Sequence, residues 1–290
     1  MIKFFAVILI LGLSAVFSVC AQVSVDVTLD QQQFLQCESL PIAVHITNLS
    51  GQPLHLGVDP NWLTFSIEAD DGFIVVKNAD VPVVGAFDLG SSEVATKRVD
   101  LEPYFVLNHP GRYHVTAIVR VKNWDTEFAS APQKFDIISG AELWSQTFGV
   151  PSPQDKPTNA PPEVRKYVLE EANYLRSQLR LYVQVSDESG SRVFKVAQIG
   201  RAVSFSSPET QLDRHSNLHV LWQSGASAFS YVVLSPDGNI VQQETYDYLT
   251  TRPRLGINDA GEITVIGGVR RVQPDEIPIV KSPDELPAKP

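Results

Sequence analysis

The chain has 290 residues, and 43% of them are apolar, which is enough to form the cores of two domains of ordinary size. The formal charge of −10 at pH 7 makes nucleic acid an unexpected partner, because phosphate binding needs clustered Lys and Arg. With only Cys20 and Cys37, a disulfide-rich scaffold is excluded.

Residues 1–21 have the pattern of a secretory signal. Lys3 is the positive n-region, "FFAVILILGL" (4–13) is an apolar h-region, and "VCA" (19–21) is a small-residue cleavage site. We expect a secreted or periplasmic protein that begins at Gln22 and has no membrane contact after cleavage. A retained anchor stays open as an alternative, whereas a lipoprotein signal at Cys20 is disfavoured by the bulky Val19 before it.

Residues 22–140 alternate apolar and polar positions, as half-buried strands do. Turn signals such as "NLSGQP", "ADDG" and "NHPG" separate the segments. Short strands at this spacing predict a β-sandwich. The clearest predicted strands are 23–29, 40–48, 62–69, 73–78, 111–121 and 133–139.

The segment "NHPGRYHVTAIVRV" (108–121) resembles the penultimate strand of immunoglobulin-like and fibronectin-like modules. The resemblance implies an immunoglobulin-like sandwich in which the hydroxyl of Tyr113 hydrogen-bonds back to the preceding corner. The cysteine pair and the buried tryptophan of antibody domains are missing, so the resemblance concerns the module type alone.

Residues 141–178 are predicted to be a proline-rich linker and a helix. The stretch 151–162 contains five prolines, which stiffen a chain and keep it out of sheets. In 162–176 the residues Val164, Tyr167, Val168, Ala172 and Leu175 fall on one face at helical spacing.

Two repeats of about 45 residues are predicted over 179–271. "PETQLDRHSNLHVL" (208–221) aligns without a gap on "PRLGINDAGEITVI" (253–266), and "YVQVS" (182–186) matches "YVVLS" (231–235). The segment resembles propeller-type repeats of four short strands each. The tail 272–290, with five prolines and no periodicity, is expected to be disordered.

No motif of a known catalytic or metal site is present in the sequence. His215 and His219 are four apart, but that spacing on a strand is too long for one metal ion, so we predict no metal and no cofactor. A speculative ligand-binding group is Trp222, Tyr246, Tyr248 and Arg252, because aromatic faces beside arginine suit sugars or an acidic partner. The alternative is that Trp222 and Tyr246 fill a sheet interface.

The sequence therefore predicts an all-β, exported, non-enzymatic binding or scaffolding protein. It would consist of an immunoglobulin-like sandwich, a linker with one helix, and two propeller-type repeats, as in multi-module secreted proteins of bacteria. The partner would be a protein or a glycan, and the helix, which needs an apolar partner, favours a monomer. Two other functions remain open: a hydrolase acting on polysaccharide, with carboxylates converging on the repeats, and a proteinase inhibitor with a protruding loop on the sandwich.

Overall fold

A computed structural model describes residues 23–151 and 163–272. Within these ranges 57% of the residues lie in strands and 3% in helical turns, with no helix of seven residues or more. The prediction of an all-β protein is confirmed. The signal segment, most of the proline-rich stretch 151–162 and nearly all of the tail lie outside the described residues.

The N-terminal region (residues 23–138) contains ten strands and two short 3-10 turns, Glu102–Tyr104 and Lys122–Trp124. Five of the six strands predicted there are confirmed, while 73–78 forms only an isolated bridge between Lys77 and Phe105. The strands are β1 (Val23–Leu29), β2 (Gln33–Leu35), β3 (Pro41–Asn48), β4 (Leu54–Leu56), β5 (Leu63–Ala69), β6 (Phe87–Leu89), β7 (Val94–Asp100), β8 (Gly111–Val121), β9 (Thr126–Ala129) and β10 (Gln133–Ile138).

Two sheets enclose the core of this region. One has the order β1-β3-β7, and the other has the order β2-β10-β8-β5 with β9 paired to β8. Alternate residues of both sheets, such as Val25 and Val44 from one and Phe65 and Val115 from the other, belong to one buried cluster. The expected hydrogen bond of Tyr113 is present, because its hydroxyl donates to the carbonyl oxygen of His109 at 2.6 Å.

The C-terminal region (residues 141–270) contains eleven strands in three groups. They are β11 (Ala141–Gly149), β12 (Val164–Tyr174), β13 (Gln178–Asp187), β14 (Val193–Ala202), β15 (Glu209–Leu212), β16 (Leu218–Gln223), β17 (Ala228–Leu234), β18 (Ile240–Asp247), β19 (Arg254–Ile257), β20 (Ile263–Ile266) and β21 (Val269–Arg270). The first sheet has the order β11-β12-β13-β14, the second has β15-β16-β17-β18-β21, and the terminal hairpin is β19-β20.

The helix predicted over 162–176 is wrong in its described part, which is strand β12. Helix-forming residues are common there, but β12 pairs along its length with β11 on one side and β13 on the other. Residues of both its faces are buried, with Leu169 in one cluster and Ala172 in another. Pairing with distant strands therefore overrides local propensity. The first four-stranded unit thus begins at Ala141 and not at 179.

The first and second sheets pack face to face. Leu181 and Val183 of the first sheet share a buried cluster with Val220, Trp222 and Val232 of the second. Polar contacts at the rim extend this interface: the Tyr167 hydroxyl donates to the carbonyl oxygen of Ser216 at 3.1 Å. Val183 and Val232 hold matched positions of the two predicted repeats, yet each faces the other sheet. In stacked repeats, matched residues would point in the same direction along the stack, whereas these two point toward each other. The alignment of 182–186 with 231–235 therefore does not pair equivalent faces of the two sheets.

The alignment of 208–221 with 253–266 agrees with the structure, because the two aligned turns have the same hydrogen bonds from backbone N–H groups to a side-chain oxygen. Asp213 Oδ1 accepts from the backbone N–H groups of His215 and Asn217, and Asn258 Oδ1 accepts from those of Ala260 and Glu262. The strand pairs that these turns connect are β15-β16 and β19-β20. The terminal hairpin is thus the counterpart of the first two strands of the second sheet.

The two regions touch through a small cluster of their own. Leu35 of β2 packs with Ala172 and Tyr182 of the first sheet, and the half-buried Cys37 lies against them. Burial raises the pKa of the Cys37 thiol, as does the nearby charge of Glu102. The Leu175 backbone N–H donates to Gln33 Oε1 at 2.6 Å across the junction. Cys37 is therefore a small residue packed in this junction.

Candidate functional site

A cleft of about 640 Å³ lies between the second sheet and the terminal hairpin. It forms because the hairpin packs on the sheet at one end, where Leu255 and Val265 contact the cluster around Tyr231 and Phe229. The backbone N–H of Leu255 also donates to Glu209 Oε2 at 2.7 Å, which fastens this end. Toward the turn of the hairpin, residues of the second sheet and of the hairpin line the cleft together.

A histidine and a tyrosine form the buried wall of the cleft. His219 of β16 is only 7% exposed, and its Nδ1 lies 2.7 Å from the hydroxyl of Tyr231. Its Nε2 lies 3.5 Å from Asp213 Oδ2 and forms no good hydrogen bond with any described residue. Burial lowers the pKa of His219, although the Asp213 charge partly offsets this, so the ring is neutral at pH 7. The tautomer that fits has Tyr231 donating to Nδ1 and the Nε2 hydrogen facing Asp213.

Three residues of β18 and β21 continue the same wall of the cleft, and the terminal hairpin forms the opposite one. The Tyr246 hydroxyl donates to Glu244 Oε2 at 2.6 Å, and the Arg270 guanidinium donates to Glu244 Oε1 at 3.0 Å. Burial raises the pKa of Glu244, but the hydrogen bonds from Tyr246 and Arg270 outweigh it and leave the pKa below its usual value. This carboxylate is therefore ionised and held by three donors, because Gln242 Nε2 also donates to Glu244 Oε1 at 3.2 Å.

Asp213 and the two tyrosines of the cleft each have a shifted pKa as well. Burial raises the pKa of Asp213, but hydrogen bonds from Asn217 and His215 bring it below the usual value, so Asp213 is ionised. Burial raises the pKa of Tyr231 to about 12, and it raises that of Tyr246 as well. Both phenols are neutral hydrogen-bond donors at pH 7.

The four residues of the speculative binding group do not meet in one place. Trp222 is 2% exposed and its Nε1 donates to the carbonyl oxygen of Arg201, on the face of the second sheet that meets the first sheet. Tyr246 is on the opposite face and lines the cleft. Tyr248 is exposed in the loop after β18, and Arg252 lies over the ring of Phe229 at 5.4 Å. One ligand cannot contact both Trp222 and Tyr246.

His215 and His219 do not lie on one strand, as the predicted spacing assumed. His215 lies in the turn and not on a strand, and its Nδ1 is 3.9 Å from the same Asp213 oxygen that His219 approaches. Among the residues that the structure describes, no three His, Cys, Asp or Glu side chains are grouped to hold a metal ion. The histidines belong to the cleft through Asp213.

Four cleft residues are absent from the predicted binding group: His219, Asp213, Tyr231 and Glu244. The aspartate showed a signal, because its place before a turn predicts hydrogen bonds to the next residues. Tyr231 and Glu244 showed none. They join the site because register pairs Tyr231 with both Leu221 of β16 and Glu244 of β18, which puts all three side chains on the face that carries His219.

Acidification is expected to destabilise the protein through His219. An unfolded histidine gains its proton near pH 6.5, whereas the folded ring, with its lowered pKa, resists protonation until lower pH. Unfolding therefore takes up a proton below about pH 6.5, and the free energy of unfolding falls as the pH decreases. Urea unfolding at pH 7.5 and 5.5 should show a smaller loss for His219→Gln than for the wild type.

The matched control is His215→Gln, because the His215 side chain is 67% exposed. That variant should keep the pH dependence of the wild type. An equal pH dependence in the wild type and His219→Gln would contradict the prediction.

Comparison with known proteins gives little to set beside this geometry. No protein-family model matches the chain, and no curated protein is significantly similar to it. Among solved structures, Spo0M, a sporulation control protein from Bacillus subtilis, aligns with 8% sequence identity and a TM-score of 0.30, covering 61% of this chain and 89% of that one. A similarity this low carries no argument. In the described part of the chain, none of the helical turns has the length and hydropathy needed to cross a bilayer.

Proposed function

We propose that the protein is an exported, non-enzymatic binding protein that holds its ligand in the cleft between the second sheet and the terminal hairpin. The observation that carries the proposal is the set of hydrogen-bonded polar side chains that line the cleft. Asp213 and Glu244 are ionised acceptors, Tyr231 and Tyr246 are neutral donors, and His219 is neutral. Fixed donors and acceptors around a cleft suit a binding site.

Hydrolysis of a polysaccharide would need a different arrangement. A glycosidase uses one carboxylic acid whose pKa is raised, so that it can protonate the leaving group. In Asp213 and Glu244 the pKa is lowered. The pair is suited to accepting hydrogen bonds from a ligand and poorly suited to giving up a proton.

An inhibitory loop would need to stand away from its module. The longest connection of the N-terminal region, 70–86, carries the exposed Ile74, but it is fastened along much of its length. Its Val76 carbonyl accepts from the Val106 backbone N–H at 2.9 Å, and Val83 is buried in the core. This attachment favours the binding proposal over a proteinase inhibitor.

The same proposal includes the finer architecture. We infer that residues 23–138 are an immunoglobulin-like sandwich, which the two facing sheets and the Tyr113–His109 hydrogen bond support. We also infer that the C-terminal region is propeller-like: a first unit at 141–202, a second at 209–247 and an incomplete third at 254–266. The matching turns at Asp213 and Asn258 support this order. The role of the sandwich would be to hold the units on a rigid support.

The test is a binding screen with a variant that fills the cleft. Fluorescently labelled protein is applied to a glycan array and to a library of synthetic peptides, and each hit is repeated with Gln242→Trp. Gln242 is exposed and lines the cleft, so an indole at this position should fill the space without disturbing a core. We expect binding of the true ligand to fall at least tenfold.

The control is Gln243→Trp, an exposed neighbour on the other face of β18. It should bind as the wild type does. Hits that survive in both variants would place binding elsewhere and overturn the proposal. Turnover of an arrayed glycan that disappears in Glu244→Gln would show an enzyme.

A further inference from the structure

The terminal hairpin has a free backbone edge. Asn258 and Glu262 form the first hydrogen-bonded pair beyond the turn, with the Asn258 N–H donating to the Glu262 carbonyl at 2.9 Å. Antiparallel pairs alternate, so the backbone groups of the residues at 264 and 266 face β19, while those of Ile263 and Val265 point away from it. Within the described ranges β20 pairs with β19 alone, so these outward groups have no strand beside them.

The second sheet shows what belongs at that edge. By the gap-free alignment, Ile263 and Val265 correspond to Leu218 and Val220 of β16. In the second sheet these two residues pair with Leu234 and Val232 of the next strand, β17. The first and second sheets each continue beyond this position with a third and a fourth strand, but the chain after β20 turns at Gly267 and Gly268 and pairs with β18 instead. Among the residues that the structure describes, the third unit therefore has two strands.

The space beside β20 is the open side of the cleft. A strand added there would continue the contact that the hairpin already makes with the second sheet through Val265 and Tyr231. Its inward side chains would lie over Val233 and Tyr246, which line the cleft. A second copy cannot pair with β20 through its own β20. The twofold axis of such an antiparallel pair is perpendicular to the hairpin, so both second sheets lie on the same side of the joined strands and overlap there.

We propose that the ligand of the cleft is an extended polypeptide segment from another protein, which adds to β20 as the third strand of the incomplete unit. The inference rests on the proposed function and specifies its partner. The main chain of the segment exchanges hydrogen bonds with Ile263 and Val265, and apolar side chains at alternate positions enter the cleft. The prediction of a monomer relied on a helix over 162–176. Because 164–174 is strand β12, that prediction does not argue against a partner at this edge.

The probe is a synthetic peptide with the sequence of β17, "AFSYVVLS" (228–235), flanked by lysines for solubility. Its control has proline at the position of Val232, which removes one backbone donor and should weaken binding by about tenfold. Binding to the full-length protein is followed by fluorescence anisotropy.

The location is tested by hydrogen exchange of single amides by NMR. In the protein alone the N–H groups of Ile263 and Val265 should exchange quickly, and those of Thr264 and Ile266 slowly. The peptide should protect Ile263 and Val265 alone. Protection of these two amides before the peptide is added would show that this chain or a second copy already fills the edge, and it would overturn the proposal.

The two proposals fail in different ways. A glycan that binds wild type and not Gln242→Trp, together with no effect of the peptide, would leave the binding function standing and remove the strand-addition inference. Peptide binding without protection at Ile263 and Val265 would place the peptide elsewhere and also remove it.

Discussion

Replacing Trp222 by alanine is expected to lower the free energy of unfolding by about 3–5 kcal/mol, the usual cost of removing a large aromatic side chain from a core. The indole is 2% exposed and lies between the first and second sheets, with its N–H bonded to the Arg201 carbonyl oxygen at 2.7 Å. Gly200 lies so close that a Cβ there would be 3.0 Å from the ring. Neighbours packed this tightly cannot refill the cavity.

Urea unfolding followed by circular dichroism measures this loss. The control of the same residue type is Trp124→Ala, because Trp124 is only partly buried beside the N-terminal core and should cost much less. A cost below about 1 kcal/mol for Trp222→Ala would mean that the two sheets do not share this core. Binding of a cleft ligand at equal folded fraction should be unaffected, because Trp222 is on the other face of the second sheet.

Replacing Gly57 by alanine should be the most disruptive glycine substitution in the N-terminal region. A Cβ at Gly57 would lie 2.2 Å from the carbonyl oxygen of Gly85, a backbone atom that cannot move aside alone. Gly57 also has φ of +80°, which costs about 1–2 kcal/mol for an L-residue. Overpacking adds about 1–3 kcal/mol, so we expect a total loss of about 2–5 kcal/mol.

Gly51→Ala separates the two causes. Gly51 has nearly the same backbone angle, φ of +82°, but a Cβ there meets no atom within 4 Å. It should lose only the conformational part. Thermal unfolding of both variants gives the comparison, and equal losses would mean that the chain near Gly85 does not approach Gly57 closely.

A buried asparagine shows why motifs need their structural context. Asn48 and Ser50 match a glycosylation sequon, yet the Asn48 side chain is fully buried. Its amide donates to the carbonyl oxygens of Gln52 and Leu89 at 2.8 and 2.9 Å. The folded protein therefore offers no amide nitrogen to a glycan at this position.

Local sequence patterns predicted many of the strands and turns. Period-2 alternation located strands such as β1 and β8, because one face of each is buried and the other is not. The turns at Asp213 and Asn258 could be aligned from sequence, because an acidic or amide side chain before a turn bonds to the N–H groups that follow it. The corner hydrogen bond of Tyr113 was implied by the resemblance of 108–121 to a strand of immunoglobulin-like modules.

Tertiary pairing decided the rest. Residues 164–174 fit a helix when considered alone, and they are a strand because β11 and β13 bond to both edges of the segment. The cleft likewise depends on the register of β16, β17 and β18, which brings His219, Tyr231 and Glu244 to one face from separate strands. Alternation and turn chemistry act over a few residues and are written in the sequence. Strand register and the faces that sheets present to each other depend on contacts between residues far apart in the chain, so only the folded structure decides them.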